Sequence, residues 1–182
     1  MGRSVRALSR FAATVGIFAT AAGIPVGAQT PSQLPGGASS LQETFDNWTV
    51  ACVQQAAAKR CSLSQQQNDA QSHQRVLAIE FMAPAADQLE GTLVLPFGLA
   101  LDHGVTLQID DGPASPSQKF RTCLPVGCLV PFAFDAKTIA TLRKGANLKV
   151  AALAAGDGKE ANFTISLKGF PAALDRTAAL AK

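Results

Sequence analysis

The residues of this 182-residue chain with the most distinctive chemistry are its four cysteines, Cys52, Cys61, Cys123 and Cys128. An even number of cysteines is typical of a disulfide framework in an exported protein. Four cysteines allow three pairings, and proximity along the chain favours Cys52–Cys61 and Cys123–Cys128. We therefore predict that these four residues form two structural disulfide bonds.

The cysteine spacing disfavours two other uses of these residues. Zinc sites use Cys-x2-Cys or histidine spacings that this sequence lacks. The four residues between Cys123 and Cys128 differ from the two of a thioredoxin-type redox motif. A redox-active disulfide is the less favoured alternative.

Two histidines and two neighbouring aspartates are the remaining candidates for catalysis or metal binding. His103 lies in a predicted turn, and His73 is predicted to open a strand after a glutamine-rich loop. A metal site would need both histidines and a carboxylate such as Asp102 in one place. Asp110 and Asp111 would need further ligands to hold Ca²⁺, and their Asp-Asp-Gly-Pro sequence is a common turn.

The sequence also lacks the common catalytic and phosphate-binding motifs. It has no Gly-x-Ser-x-Gly, no His-Glu-x-x-His and no glycine-rich phosphate loop before a helix. We therefore expect no catalytic residue, no cofactor and no metal site. An envelope enzyme that uses His73 or His103 is kept as an alternative.

The first 28 residues have the order of a secretory signal peptide. Three arginines precede an apolar stretch, residues 11–26, and small residues then lead to an expected cleavage before Gln29. Gly23 and Pro25 interrupt this stretch, which is shorter than the ~20 residues that a membrane anchor needs. We predict a periplasmic, secreted or outer-envelope protein with no transmembrane segment after the signal is removed.

The elements that would position these residues are mostly strands. Residues 29–43 are rich in Pro, Gly, Ser and Gln and are predicted to be a flexible linker, and residues 44–182 a single domain. Alternation of apolar and polar residues is clearest at the end of the chain, where Phe163, Ile165 and Leu167 share a face. The other inward faces are Trp48, Val50 and Cys52; Leu77, Ile79 and Phe81; and Val130, Phe132 and Phe134. Short strands with one solvated face predict an antiparallel β-sandwich or barrel-like domain.

One or two short helices are expected among the strands. Asp135 is a candidate N-cap for a helix over residues 136–144. Pro171 is suited to the first turn of a second helix. That helix would turn three apolar side chains toward the body of the domain, those of Leu174, Ala178 and Leu180.

Charge is balanced overall but not along the chain. Downstream of the predicted leader there are 13 acidic and 13 basic residues, which gives no reason to expect nucleic-acid binding. Residues 29–111 hold nine acidic and three basic residues, whereas residues 112–182 hold four and ten. One interpretation is a basic patch for an acidic partner or for lipid headgroups in a peripheral membrane association. We favour the other, in which the two halves interleave and neutralise each other.

The order of several residues is similar to that of a known family. Trp48 and the first two cysteines are followed by Leu95-Pro96-Phe97-Gly98-Leu99, the second two cysteines and a closing Ser166-Leu167-Lys168-Gly169-Phe170. Over residues 45–174 this resembles the invasion-associated locus B family of exported bacterial proteins. The resemblance implies an association with host-cell invasion in some pathogens. It implies no catalytic residue, because the shared residues have core, turn and disulfide character.

The leading hypothesis is a non-enzymatic interaction module of the periplasm or envelope, used in envelope maintenance or host-cell invasion. Its partner would be an unidentified envelope or host protein, bound through loops or an exposed edge strand. One alternative is a small-molecule or lipid carrier with a cavity between two sheets. The phenylalanines that would line this cavity, or else simply fill the core, are Phe81, Phe97, Phe132, Phe134 and Phe163.

Overall fold

The structure is a computed structural model that describes residues 34–55, 58–82, 84 and 88–182. The predicted signal peptide and the first part of the predicted linker lie outside these residues. The mainly antiparallel β fold expected from the sequence is confirmed: the domain consists of a seven-stranded sheet, a three-stranded sheet and two α-helices.

The larger sheet is antiparallel and has the strand order β1-β2-β3-β4-β5-β8-β7. Consecutive strands pair from β1 to β5, and β8 then adds beside β5. The strands are β1 (Ser40–Phe45), β2 (Trp48–Gln55), β3 (Ala58–Asn68), β4 (Arg75–Met82), β5 (Gln88–Leu95), β7 (Thr122–Leu124) and β8 (Gly127–Asp135).

The smaller sheet has the order β10-β9-β6 and is also antiparallel. Its strands are β6 (Thr106–Ile109), β9 (Asn147–Leu153) and β10 (Glu160–Ser166). Residues 112–118, which we call the strap, run along the outer edge of β6. The Ser115 amide donates to the Leu107 carbonyl at 2.7 Å, and the Gln118 amide donates to the Val105 carbonyl at 2.7 Å. The strap therefore satisfies backbone groups that an open edge strand would leave unpaired.

The two helices close the fold at opposite ends of the large sheet. The helix α1 (Ala136–Leu142) follows β8, and the Asp135 carboxylate accepts a hydrogen bond from the Thr138 amide at 2.8 Å, as expected of an N-cap. The helix α2 (Phe170–Ala181) packs against β1, β2 and β3. It starts after Gly169, where φ is +87° and a Cβ atom would overlap the Phe45 carbonyl oxygen.

The inward faces predicted by alternation are largely confirmed. Trp48, Ile79, Phe81 and Val130 of the large sheet are buried and share one core with Ile165 of the small sheet. Phe163 is only half-buried on β10. On α2, Leu174 and Leu180 are buried as expected, whereas Ala178 is half-buried and Ala173 and Thr177 take its place in the core.

Two sequence predictions differ from the structure. Residues 40–43, placed in the flexible linker, belong to β1, and Leu34 further upstream is 2% exposed within the core. The three consecutive glutamines upstream of His73, expected to form a loop, belong to β3, and the following strand β4 starts at Arg75 and not at His73. Both errors arose because local polar composition was given more weight than the contacts that these segments make with distant strands.

The interleaving of the acidic and basic halves is confirmed by ion pairs between them. Arg176 on α2 pairs with Glu43 on β1, Lys168 pairs with Asp46, and Lys149 pairs with Asp111. Each pair joins a residue of segment 29–111 to a residue of segment 112–182. Charge imbalance along the chain is therefore partly compensated within the folded domain.

The ion pair between Glu43 and Arg176 predicts a pH-dependent contribution to stability. Both carboxylate oxygens accept hydrogen bonds from the guanidinium at 2.7 Å, and these bonds hold the pKa of Glu43 below its ordinary value of 4.5. A depressed pKa in the folded state stabilises the fold above the ordinary pKa, and this contribution is lost as the pH falls through the folded-state value. We expect Glu43→Gln to be less stable than the wild type near neutral pH, and the difference to vanish in acid.

Urea unfolding across this pH range measures the effect. Glu80→Gln is the matched control, because Glu80 forms no ion pair with any described residue. A Glu43→Gln deficit that is the same at neutral and acidic pH would show that the ionised pair does not stabilise the fold.

Candidate functional site

The structure contains both disulfide bonds in the pairing that sequence proximity favours. Cys52 and Cys61 lie directly opposite each other on β2 and β3, and Cys123 and Cys128 do so on β7 and β8. The first bond is enclosed, because its cysteines are 1% and 2% exposed. In the second bond Cys128 is buried, but Cys123 lies exposed on the edge strand β7.

The second disulfide closes a short loop that presents apolar side chains to solvent. Leu124 and Val126 are 46% and 51% exposed. Gly127 has a φ of +129°, and a Cβ atom there would lie 2.6 Å from the Leu95 carbonyl oxygen. The glycine therefore lets this loop pack closely on the end of β5.

A neighbouring loop, which follows β5, presents a third large apolar side chain. Phe97 is 62% exposed, the highest value among the exposed large apolar residues of the described chain. Its loop is held by the Ala155 amide, which donates to the Gly98 carbonyl at 2.8 Å. Phe97 and Val126 line one groove on the surface, together with Pro96 and Pro125. We call these four residues the loop patch; Gln74 and Arg75 form a polar part of its rim.

A larger concavity, of about 720 Å³, lies where β8 of the large sheet faces β6 and β9 of the small sheet. We call it the intersheet cleft. Its walls come from both sheets, the strap and α1. The side chains and backbone that line it belong to Leu107, Ile109, Gly112, Pro113, Ala114, Ser115, Pro116, Gln118, Phe132, Ala133, Phe134, Asp135, Lys137, Thr138, Thr141 and Leu148.

The apolar floor of the intersheet cleft is built around two phenylalanines. Phe132 and Phe134 are 7% and 8% exposed, and their ring centroids are 4.9 Å apart. Phe132 has room because its cross-strand partner is Gly91, where a Cβ atom would lie 2.5 Å from the phenylalanine ring. The glycine therefore fixes where this ring lies relative to the cleft.

The five phenylalanines expected to line a cavity do not lie together. Only Phe132 and Phe134 line the intersheet cleft. Phe81 is fully buried behind them and contacts both rings, with centroid distances of 5.6 and 6.1 Å. Phe97 belongs to the loop patch, and Phe163 is half-buried on β10. Phe97 lies outside the core because β5 ends at Leu95, before Pro96.

The histidines and aspartates considered for catalysis or metal binding lie at separate places on the surface. His103 Nδ1 lies 3.0 Å from the Asp102 carboxylate on the surface, and this hydrogen bond lowers the pKa of Asp102. His73 is exposed in the turn between β3 and β4. Asp110 accepts hydrogen bonds from the amides of residues 146 and 147, and Asp111 pairs with Lys149. Within the described ranges, no three His, Cys, Asp or Glu residues are grouped to hold a metal ion.

The fold and these surfaces define a class: a mainly antiparallel β protein with two cross-strand disulfides and exposed apolar loops. Such disulfides are typical of proteins outside the cytoplasm. Neither described helix has the length and apolarity required to cross a membrane.

Comparisons with known proteins identify the family. The protein-family model described as Invasion associated locus B (IalB) protein matches residues 48–178 of this chain. An Invasion protein B homolog of Brucella abortus (strain 2308) is 49% identical over 151 residues, which cover 83% of this chain and 87% of that protein. Invasion protein B of Bartonella bacilliformis is 34% identical over 151 residues, covering 82% of this chain and 81% of that protein. This chain therefore belongs to the invasion associated locus B family, as its residue order indicated.

A solved structure has the same fold. The crystal structure of invasion associated protein b from Bartonella henselae matches with a TM-score of 0.72 at 37% sequence identity. The match covers 77% of this chain and 96% of that chain. This chain therefore shares its fold with a related protein whose structure was determined by crystallography.

Sequence reasoning missed the loop patch, although a signal for it was present. Leu95-Pro96-Phe97-Gly98 and Cys123-Leu124-Pro125-Val126-Gly127-Cys128 both place large apolar residues between Pro and Gly or inside a small disulfide loop. Apolar residues in such turn sequences have no strand to carry them into the core. Their exposure could have been predicted from the turns.

The different exposure of the two disulfides predicts the order in which they are reduced. Reduction requires a thiolate to reach a sulfur atom, and only the Cys123–Cys128 bond has an exposed cysteine. We expect mild reductant under native conditions to open Cys123–Cys128 well before Cys52–Cys61. Alkylation followed by peptide mass spectrometry measures the order.

Reduction in denaturant is the control, because both bonds are then accessible and should open at similar rates. Native-state labelling of Cys52 and Cys61 at the same rate as Cys123, or faster, would contradict the burial of the first bond.

Proposed function

We propose that this protein is an exported, non-enzymatic interaction module of the bacterial envelope that binds a partner protein through the loop patch. The predicted leader and the two disulfides support a location in the periplasm or at the cell surface. The relatives are named invasion proteins. A role in host-cell invasion or envelope maintenance is therefore part of the proposal.

The observation that carries the proposal is the clustering of exposed apolar side chains on rigid loops. Single exposed apolar residues are common on protein surfaces, but contiguous ones mark interaction sites. Phe97 and Val126 line the same groove while being 62% and 51% exposed. Leu124, next to Pro125 in the chain, is a further exposed apolar residue of the disulfide loop.

Both loops of the patch are conformationally restricted, and this supports a role in binding for their exposed apolar residues. The Cys123–Cys128 bond and Pro125 restrict the disulfide loop. Pro96 and the hydrogen bond from the Ala155 amide to the Gly98 carbonyl restrict the loop after β5. A surface that is already ordered loses little conformational entropy when a partner binds. Aromatic anchors such as Phe97 are also enriched at protein interfaces.

The double variant Phe97→Ser/Val126→Ser tests this function. It removes the exposed side chains of Phe97 and Val126, so the affinity for a patch-dependent partner should fall about 30-fold or more, the size expected for an interface hot spot. The measurement is quantitative capture of envelope proteins by the tagged mature chain, comparing the same recovered species across variants.

Val53→Ser/Met82→Ser is the matched control. Both of its residues are exposed apolar side chains, 44% and 42% exposed, and neither lines the loop patch. The control should retain the captured species. Equal capture by the wild type and the patch variant, or equal loss in both variants, would contradict binding through the loop patch.

A second candidate function is the carriage of a small apolar molecule. The observation that favours it is the intersheet cleft, whose volume and apolar walls are typical of small-molecule sites. Carriage and partner binding use different surfaces, so the two functions are separable by experiment.

A further inference from the structure

The intersheet cleft has walls that suit the apolar body of a ligand. The rings of Phe132 and Phe134 face it from the large sheet, and Leu107 and Leu148 face it from the small sheet. All four belong to the buried core, yet they also line an opening to solvent. These side chains are only 1–8% exposed, so an aliphatic chain or ring would displace water from their solvent-facing edges.

The cleft is already formed, because hydrogen bonds hold the strap that makes its outer wall. The Leu107 amide donates to the Ser115 hydroxyl at 3.0 Å, in addition to the backbone bonds of Ser115 and Gln118. The side-chain amide of Gln118 donates to the Pro116 carbonyl at 2.9 Å. A ligand therefore does not have to order the strap when it binds.

The polar rim of the cleft carries one cation, Lys137, which also attracts the nearby Asp135 carboxylate. Lys137 is the only Lys or Arg among the residues that line the cleft, and it forms no ion pair with any described residue. The two threonine side chains of α1 have partners within the domain. The Thr141 hydroxyl donates to the Lys137 carbonyl, and the Thr138 hydroxyl and amide bond to the Asp135 carboxylate.

The charges at the rim distinguish between kinds of anionic headgroup. A single ammonium matches a headgroup with one negative charge. Asp135, the only acidic residue of the lining, places a carboxylate at the same rim and disfavours a doubly charged phosphate. A monocarboxylate at the Lys137 ammonium fits these charges better than a phosphate monoester.

We propose that the intersheet cleft binds monocarboxylic acids with an apolar chain, of the fatty-acid class. The chain lies against Phe132 and Phe134, and the carboxylate lies at the Lys137 ammonium. This inference rests on the carrier function and not on the interaction module. The proposal assigns a class of ligand to the intersheet cleft and names Lys137 as the residue that recognises the ligand's headgroup.

Calorimetric titration of the mature protein with octanoate, decanoate and dodecanoate, below their micelle concentrations, tests the site. We expect one saturable site whose affinity rises by up to about four-fold per added methylene, the value for transfer of a methylene from water to an apolar environment. Absence of saturable binding, or affinity that does not depend on chain length, would overturn the proposal.

Lys137→Gln tests the position of the headgroup. We expect this variant to bind dodecanoate up to about five-fold more weakly, as for a solvent-accessible ion pair, while 1-dodecanol binds it and the wild type equally. Lys144→Gln, which alters a lysine outside the cleft lining, should bind both probes like the wild type. Equal losses for acid and alcohol in Lys137→Gln, or no loss for the acid, would contradict the assignment of Lys137.

Ala114→Trp tests the position of the chain by placing an indole in the cleft from the exposed strap. We expect this variant to lose binding of both probes while its circular dichroism spectrum stays that of the wild type. Unchanged binding would overturn the site. Should this variant fail to fold, the chain-length series on the wild type still decides the proposal.

The two proposed functions fail separately in these experiments. Phe97→Ser/Val126→Ser lies outside the cleft and should bind dodecanoate with unchanged affinity. Loss of dodecanoate binding in that variant would place the ligand at the loop patch and contradict the cleft. If this variant loses partner capture but binds dodecanoate like the wild type, the result supports the loop patch as the partner site and the cleft as the ligand site.

Discussion

Two side chains of the large sheet share one acceptor on the small sheet, the carbonyl oxygen of Ser166 at the end of β10. The indole nitrogen of Trp48 donates to it at 3.0 Å, and the side-chain amide of Gln65 donates to it at 2.9 Å. The Trp48 ring also packs against Phe170, at the start of α2, and against Phe81, with centroid distances of 5.1 and 5.9 Å. One junction therefore ties together β2, β3, β10 and α2, and the arrangement of the small sheet on the large one depends on it.

The two edges of the small sheet are covered differently. The Gln67 amide reaches the Thr164 carbonyl at 2.7 Å, so that side chains of β3 cover part of the β10 edge. At the other edge of the small sheet, β6 is covered by the strap, which stands away from β8 and leaves the intersheet cleft. The loop patch arises separately, where the disulfide loop packs on the end of β5. Both proposed binding surfaces are thus held by fixed backbone contacts.

Alternation predicted the faces of β2, β4 and β8 because each buried residue there is apolar and each strand has one solvated side. The same reasoning failed at Gln65, which is 7% exposed, because its burial depends on an acceptor about a hundred residues away. Thr177 is a second buried polar residue, but its acceptor is close in sequence: its hydroxyl donates to the Ala173 carbonyl at 2.7 Å, so a polar side chain is accepted in the core. The pairing of the cysteines was predictable because each disulfide joins neighbouring strands. The intersheet cleft was not, because its walls come from segments far apart in sequence.

A double-mutant cycle on Trp48 and Gln65 tests the junction most directly. Each of Trp48→Phe and Gln65→Met removes one donor and leaves the Ser166 carbonyl with the other, whereas the double variant leaves it with neither. Leaving such a group unpaired costs about 1–3 kcal/mol, so the loss of unfolding free energy in the double variant should exceed the sum of the two single losses by about that amount. The volume lost at the tryptophan is common to both arms and cancels in the cycle. Losses that add to within about 0.5 kcal/mol would contradict the account, because the two donors would then act independently of the shared carbonyl.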